Sequence, residues 1–375
     1  MRGSVVRRGK GWSYVVYLGR DAEGRKRQKW KGGFATKRAA EDGLTEVLER
    51  LRTGNYVDAG RKTVGEFLEE WLAASVGSLR PSTASSYEHV LKRWVIPRLG
   101  DVRLSQLGPM HVTQLHEALL TAGRSDGRGG LSSGSVHYAH RVLSRALADA
   151  VRWGLVPRNV ATLVSTPRLV TPEMKVWSAA DARAFLGAVI DDRLYAMWLL
   201  FVMTGMRRGE ALGLRWQDVD LAAGRLAIRQ TLVEVAYKTH FSEPKTKRSR
   251  RSVSIDAVTC AVLACHRERH RSERLLGDDH DLVFTQLDGR PLQPQNVSQS
   301  FLNTIRRLGL PVIRLHDLRH TSATLALAAG IHPKVVSERL GHSSIAITLD
   351  TYSHVVPGMQ EAAASTLASL VLGDC

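Results

Sequence analysis

The sequence predicts a multidomain α+β protein. We expect a small β-sheet-plus-helix domain at residues 1–60, an all-helical domain at 61–165, and a mainly helical domain with a small β-sheet at 173–375. Alternating aromatic and β-branched residues at 11–19 predict a strand. Apolar residues with helical spacing fill the middle of the chain. Two prolines and no apolar period at 165–175 indicate a linker. The length of 375 residues fits two or three domains.

The first domain is predicted from turn and strand chemistry. GWSYVVYLG at 11–19 is the first strand, residues 21–24 supply a turn, and 25–32 form a second strand. Residues 34–54 have the spacing of a helix, and a glycine closes it. The middle domain opens with a capping box of Thr63 and Glu66.

Further helices of the middle domain are expected at 78–100, broken near Pro97, and at 109–123 and 135–156. The third domain is expected to begin with a helix capped by Ser178 and Asp181.

The charge of the chain indicates a polyanionic partner. Lys and Arg number 53 against 36 Asp and Glu, which gives a net charge of +17. Residues 1–31 hold ten basic and two acidic residues, interleaved with Trp12, Tyr14, Tyr17 and Trp30. This combination favours a nucleic-acid-binding sheet over a solvated face. Structural RNA-binding proteins share such a charge, so it predicts a class of partner and no chemistry.

Other features exclude membrane and secreted classes. No run of about 18 apolar residues predicts a membrane span, and no apolar segment after the basic start predicts a secretory signal. Three cysteines, Cys260, Cys265 and Cys375, make no disulfide framework, which fits a reducing compartment. The spacing of Cys260 and Cys265 does not match C-x2-C, so we expect both to fill a helical core.

The stretch LHDLRH, at 315–320, places His316, Arg319 and His320 on one helix face. Two histidines at i and i+4 could form half of a metal site. Alternatively, arginine and histidine together could grip a phosphate and move its protons. A metal-binding H-E-x-x-H motif needs Glu where this chain has Asp317, and the cation of Arg319 opposes a metal on the same face. We therefore favour a phosphate-binding site over a metal site at this helix face.

Four further stretches join this one in the third domain. TGMRRGE ends an apolar helix and begins another, and PKTKRSRRSVSI reads as a basic β-hairpin after the strand-like 224–237. With these motifs the chain resembles the tyrosine recombinases, in particular the phage-integrase branch. That family's order of motifs is kept in TGMRRGE (204–210), PKTKR (244–248), HDLRH (316–320), LGH (340–342) and TLDTYSH (348–354).

The resemblance implies six catalytic residues. Tyr352 is the nucleophile that forms a 3′-phosphotyrosine with DNA and leaves a free 5′-hydroxyl. Arg207 and Arg319 clamp the non-bridging oxygens, where bidentate guanidiniums suit developing charge better than ammoniums do. His316 accepts the proton of Tyr352, and its role is that of a general base.

Two more roles complete the set. Lys245 protonates the departing 5′-oxygen, with Lys247 and Lys238 as competitors because charge runs specify single residues weakly. His342 donates a hydrogen bond to a non-bridging oxygen or orients the nucleophile. Supporting roles are expected for His320, His354 and Glu210, and Arg208 is left open between a DNA-backbone contact and a solvated charge.

The resemblance implies a site-specific integrase of a phage or mobile element, with 1–60 as an arm-type DNA-binding domain, 61–165 as a core-site-binding domain and 173–375 as the catalytic domain. It implies no cofactor, no metal and no ATP. The implied partners are duplex DNA with core and arm sites, three further protomers in a homotetramer, an excision factor and a host DNA-bending protein, in the bacterial cytoplasm at the nucleoid.

Three alternatives stay open at this point. The chain could be a chromosome-resolution recombinase with the same chemistry, a DNA-binding protein with a decayed site, or a metallohydrolase, which a chelator would expose. The amphipathic segment 359–372 could pack on its own domain or on a neighbouring protomer.

Overall fold

The computed structural model describes residues 3–20, 24–52, 61–124, 126–169, 174–235, 238–243, 250–273, 281–352 and 359–373, without the side chains of 50, 359–363 and 366. The chain divides into two compact units, Met1–Thr171 and Pro172–Cys375. Helices dominate and the sheets are small and antiparallel, so the predicted α+β class is confirmed. Within the described ranges, no helix has the length and apolar character needed to cross a membrane.

The chain begins with a three-stranded antiparallel sheet in the order β1-β2-β3, followed by a helix. The elements are β1 Gly3–Arg8, β2 Gly11–Arg20, β3 Lys26–Phe34 and α1 Lys37–Arg52. The sequence missed β1 because its short apolar pair lies among basic residues. Tyr14 and Val16 are buried with Leu44 of α1, so Tyr14 belongs to the core and not to a binding face. Trp30 is 47% exposed, and the guanidinium carbon of Arg8 lies over its ring, 4.7 Å from the ring centroid.

A helical region follows, and its packing is governed by apolar faces. Its elements are α2 Val64–Val76, α3 Pro81–Val90, a π-helical turn Leu91–Val95, α4 Ile96–Leu99, α5 Pro109–Ala122 and α6 Ser133–Arg152. The Thr63–Glu66 capping box is confirmed, with the Glu66 amide donating to Thr63 Oγ1 at 3.2 Å. The break expected near Pro97 is wrong. The π turn widens the helix just ahead of Pro97. The helix then continues through the proline to the end of α4, although the proline has no N–H to donate.

The second unit carries the remaining elements. Its helices are α7 Ala179–Ala188, α8 Tyr195–Thr204, α9 Arg208–Leu212, α10 Ala257–Glu273, α11 Pro294–Arg307, α12 Asp317–Ala328, α13 Pro333–Leu340, α14 Ile345–Tyr352 and α15 Met359–Leu372. Its strands are β4 Val219–Asp220, β5 Arg225–Ile228, β6 Thr231–Val235, β7 Lys238–Ser242 and β8 Arg251–Ser254. The Ser178–Asp181 capping box is confirmed. The core centres on Trp177, Phe185, Trp198 and Phe301.

The strand pairing differs from the sequence prediction. The expected strand at 224–237 is divided into β5 and β6, which join two different sheets. β6 pairs with β7, and β5 pairs with β8, so the predicted hairpin at 244–255 contributes β8 to the sheet of β4 and β5. Cys265 is exposed and Cys260 is half-buried on α10. The prediction that both cysteines fill the core is therefore wrong for Cys265.

Candidate active site

Five of the six candidate residues line one cavity of about 560 Å³ in the second unit. They come from four segments of the chain and are Arg207, His316, Arg319, His342 and Tyr352. Lys245, the sixth, lies in 244–249, outside the described residues, as does His354. Glu210 and His320 also line the cavity. The fold thus gathers residues up to 145 positions apart around one space.

Arg319 connects two of these segments. It lies in the first turn of α12, where its side chain is almost fully buried. Its Nη1 donates to the carbonyl of Gly205 at 2.9 Å and its Nη2 to the carbonyl of Leu340 at 2.7 Å. Burial, and then the charge of Arg207, lower the pKa of Arg319 to about 9. The guanidinium is therefore still a cation at neutral pH, and the two carbonyls account for two of its five N–H groups.

Arg207 is held at the entrance to α9. Gly205 ends α8 with a φ of 62°, a conformation that favours glycine, and so turns the chain toward the cavity. The Arg207 amide donates to Glu210 Oε2 at 2.9 Å, and its Nη1 donates to Glu210 Oε1 at 2.8 Å. The side chain is 40% exposed, so a ligand in the cavity can reach it.

Glu210 is the buried counter-charge of the site. Both of its oxygens accept hydrogen bonds from Arg251 of β8, at 3.0 and 2.9 Å. Burial raises the pKa of Glu210, but the hydrogen bonds of Arg251 and the charges of Arg251 and Arg207 outweigh it, so the pKa is lowered overall. Glu210 is thus ionised, and it offsets part of the cationic charge that the arginines bring together.

Replacing Glu210 with alanine is expected to destabilise the protein by about 3–5 kcal/mol, because the buried guanidinium of Arg251 loses the carboxylate that balances its charge. Thermal unfolding measures this loss. Glu243→Ala is the matched control, because Glu243 also pairs with an arginine, Arg250, but both side chains are largely exposed. The control should change stability by no more than about 0.5 kcal/mol. Equal losses in the two variants would contradict the role of Glu210.

His342 follows the end of α13. Gly341 caps that helix with a φ of 68°, and a Cβ there would lie 3.0 Å from the side chain of Arg251. His342 Nδ1 lies 2.8 Å from the hydroxyl of Thr348. Burial first, then Arg319 and Arg207, lower the pKa of His342 to about 4. The ring is therefore neutral at pH 7, and Nε2 can donate to an anion when Nδ1 accepts from Thr348.

Tyr352 is the last residue of α14 and is fully buried. Its hydroxyl lies 2.7 Å from Nδ1 of His320, whereas the sequence led us to expect His316 beside it. The rings of His316 and His320 are in edge-to-face contact, 5.4 Å between centroids. Burial raises the pKa of Tyr352 to about 12. His316 is more exposed than His320, and its pKa is lowered by burial and by the neighbouring His320 and Arg319.

Other contacts went unseen in the sequence. Arg208 donates to the carbonyl of Pro294 at 3.0 Å and to Ser298 Oγ at 2.7 Å, so it ties α9 to α11 while it stays partly exposed. Arg251 lies in a charged run that gave no reason to single it out. Over the described ranges, no group of three or more His, Cys, Asp and Glu side chains is arranged to hold a metal ion.

Three family models match separate parts of this chain. Residues 178–358 match the phage integrase family, residues 4–51 an arm DNA-binding domain, and residues 63–120 the N-terminal SAM-like domain of phage integrases. A protein of Caldanaerobacter subterraneus subsp. tengcongensis described as tyrosine recombinase XerC-like is 31% identical over 98% of this chain and 99% of its own.

An integrase of Streptomyces ambofaciens is 28% identical over 91% of this chain and 88% of its own. Among solved structures, the Tn1549 transposon integrase in complex with transposon right end DNA shares the fold. Its TM-score is 0.68 at 19% identity, over 82% of this chain and 99% of that one. The chain belongs to the phage integrase family of tyrosine recombinases, and it is a site-specific recombinase.

Proposed function

We propose that this protein is the integrase of a phage or other mobile element, which cuts and rejoins duplex DNA through a 3′-phosphotyrosine on Tyr352. The observation that carries the proposal is the shared cavity, which is lined by a tyrosine, two arginines and three histidines and is bordered by strand β6. An anion of phosphate size fits the charge of that cavity, since Arg207 and Arg319 supply guanidinium groups from two directions.

The proposed cleavage needs no external energy source. Tyr352 attacks the scissile phosphorus, and Arg207 and Arg319 stabilise the charge that grows on the non-bridging oxygens. His342 donates to one of those oxygens, and Lys245 protonates the 5′-oxygen as it leaves. The phosphotyrosine keeps a phosphodiester, so a 5′-hydroxyl from a partner strand reverses the step and joins the strands.

A covalent complex with DNA is the test of this proposal. A core-site duplex with a nick close to the cleavage position releases a short fragment that carries the new 5′-hydroxyl. Once this fragment has left, the strand cannot be rejoined, so the covalent adduct accumulates and is detected on a denaturing gel. We expect the adduct to form in EDTA as well as in buffer alone, because the two arginines supply the charge that a metal would supply. Loss of the adduct in EDTA and its return with zinc would contradict the proposed chemistry.

The two parts of the first unit are proposed to bind different DNA sites. Residues 61–165 hold the core site, and residues 1–60 hold an arm-type site, with the exposed Trp30 and its basic neighbours on the contact face. Four protomers act together on two duplexes, and an excision factor and a host bending protein set the direction. The substrate places the enzyme at the nucleoid, in the cytoplasm of a bacterial host.

Binding by residues 1–60 should fall steeply with salt, because several phosphate contacts together lose orders of magnitude in affinity between about 50 and 200 mM. Gel shifts of that fragment with attachment DNA measure the slope. Arg27 is exposed on β3, and its replacement by alanine should remove one phosphate contact. The slope of log affinity against log salt concentration should therefore fall by about one in Arg27→Ala. Binding that does not respond to salt would contradict the arm-site proposal.

The relative described as XerC-like favours a second candidate, a chromosome-resolution recombinase with the same chemistry. The match of residues 4–51 to an arm DNA-binding domain favours the integrase. A DNA substrate with core sites alone discriminates between them. Full recombination on that substrate, without arm sites, would support the chromosome-resolution candidate.

A further inference from the structure

The hydroxyl of Tyr352 has a partner that the motif comparison did not predict. His320 lies one helical turn after His316 on α12, and its Nδ1 is 2.7 Å from the Tyr352 oxygen. Their rings are 5.8 Å apart between centroids. A separation of 2.7 Å is that of a good hydrogen bond. Among the hydrogen bonds of the described residues, this is the one that reaches the phenol oxygen.

The direction of this bond follows from the state of the two groups. Burial raises the pKa of Tyr352 to about 12, so the phenol carries its proton near neutral pH. Burial lowers the pKa of His320, so its ring is neutral. A neutral imidazole with its hydrogen on Nε2 has a lone pair on Nδ1. The phenol therefore donates to Nδ1 of His320.

We propose that His320 is the catalytic residue that receives the proton of Tyr352 during attack on the phosphate. The proposal rests on the proposed function of Tyr352 as nucleophile. In the step, the phenol O–H bond breaks and its proton moves to Nδ1 of His320. The phenol oxygen bonds to phosphorus, the bond from phosphorus to the 5′-oxygen breaks, and that oxygen takes a proton from Lys245. Rejoining runs the same transfers in reverse.

The surroundings of His320 suit a proton that is held only briefly. After burial, the carboxylate of Asp317 favours the protonated ring, while the charges of Arg319 and Arg314 oppose it. His316 contacts the ring edge-to-face from one turn earlier. The protonated ring is thus an accessible intermediate but not a stable one, and the proton returns when the phosphotyrosine is resolved.

A structural lock is the opposing interpretation of the same hydrogen bond. Tyr352 also packs with Ala323, Leu327, Val336 and Leu340, and a lock would hold it there until DNA arrives. The two interpretations predict opposite results for His320→Ala. Loss of a proton acceptor slows cleavage, whereas loss of a lock leaves the rate unchanged or raises it.

A test uses full-length protein and nicked core DNA, with either tyrosine or trifluorotyrosine at position 352. Fluorine makes the phenol a stronger acid, so it needs less help from a base. We expect His320→Ala to lower the rate of adduct formation by about 10²–10⁴-fold, and trifluorotyrosine to restore most of that rate. His316→Ala is the matched control one turn earlier, and trifluorotyrosine should give it no comparable recovery.

His320→Asn separates positioning from proton transfer. An asparagine amide can accept a hydrogen bond near the place of Nδ1, but it cannot take the proton. It should therefore keep the melting temperature and still cleave slowly until trifluorotyrosine is present. The proposal would be overturned if trifluorotyrosine restored the rate of adduct formation in His316→Ala but not in His320→Ala. It would also be overturned if His320→Ala formed the adduct at the wild-type rate. Absence of the adduct in Tyr352→Phe supports the nucleophile whatever His320 does, so the two conclusions fail separately.

Discussion

Tyr352→Phe is expected to form no covalent complex with DNA, while it keeps the fold and the affinity for DNA. The change removes one hydroxyl, and the phenyl ring still fills the cluster of α12 and α13 side chains around it. The lost hydrogen bond to His320 costs about 1 kcal/mol. In a domain of this size that lowers the melting temperature by roughly 2–4 °C. Denaturing gels with nicked core DNA measure the adduct, and native gels measure binding.

Tyr195→Phe is the matched control for that variant. Tyr195 begins α8 in the same unit and packs against its main core, but it does not line the cavity. The control should form the adduct at the wild-type rate. An adduct that persists in Tyr352→Phe and disappears in Tyr195→Phe would move the nucleophile to Tyr195.

Local features of the fold could be predicted from the sequence because the interactions that make them span only a few residues. The capping box of Thr63 and Glu66 is complete within four positions. Gly205 and Gly341 end helices beside candidate residues, and a glycine at such a place has a direct backbone reason. The motif order predicted which residues to look for, and the cavity brings five of them together.

Contacts between distant residues could not be predicted in the same way. Arg251 and Glu210 lie 41 positions apart, and His320 and Tyr352 lie 32 apart. Nothing local distinguishes Arg251 from its basic neighbours, because its partner is chosen by the pairing of β8 with β5. The histidine beside the phenol depends on how α14 packs against α12, and one turn of α12 decides between His316 and His320.

The proposed role of Lys245 gives the second large effect, a loss of about 10²–10⁴-fold in cleavage rate for Lys245→Ala. The 5′-oxygen is a poor leaving group near neutral pH unless a general acid protonates it. A thiolate leaves without that help, because its conjugate acid is far stronger. Lys245→Ala should therefore cleave an ordinary core site slowly, yet cleave a site with sulfur at the bridging 5′ position at close to the wild-type rate.

Two other variants make this rescue specific to Lys245. Arg319→Ala should gain much less from sulfur, because the guanidinium acts on the non-bridging oxygens. Lys247→Ala should behave nearly as wild type on both substrates. Lys245 and Lys247 are two positions apart, so in an extended segment both side chains point to the same side. Rescue of Lys247→Ala by sulfur, with Lys245→Ala slow on both substrates, would therefore assign the general acid to Lys247.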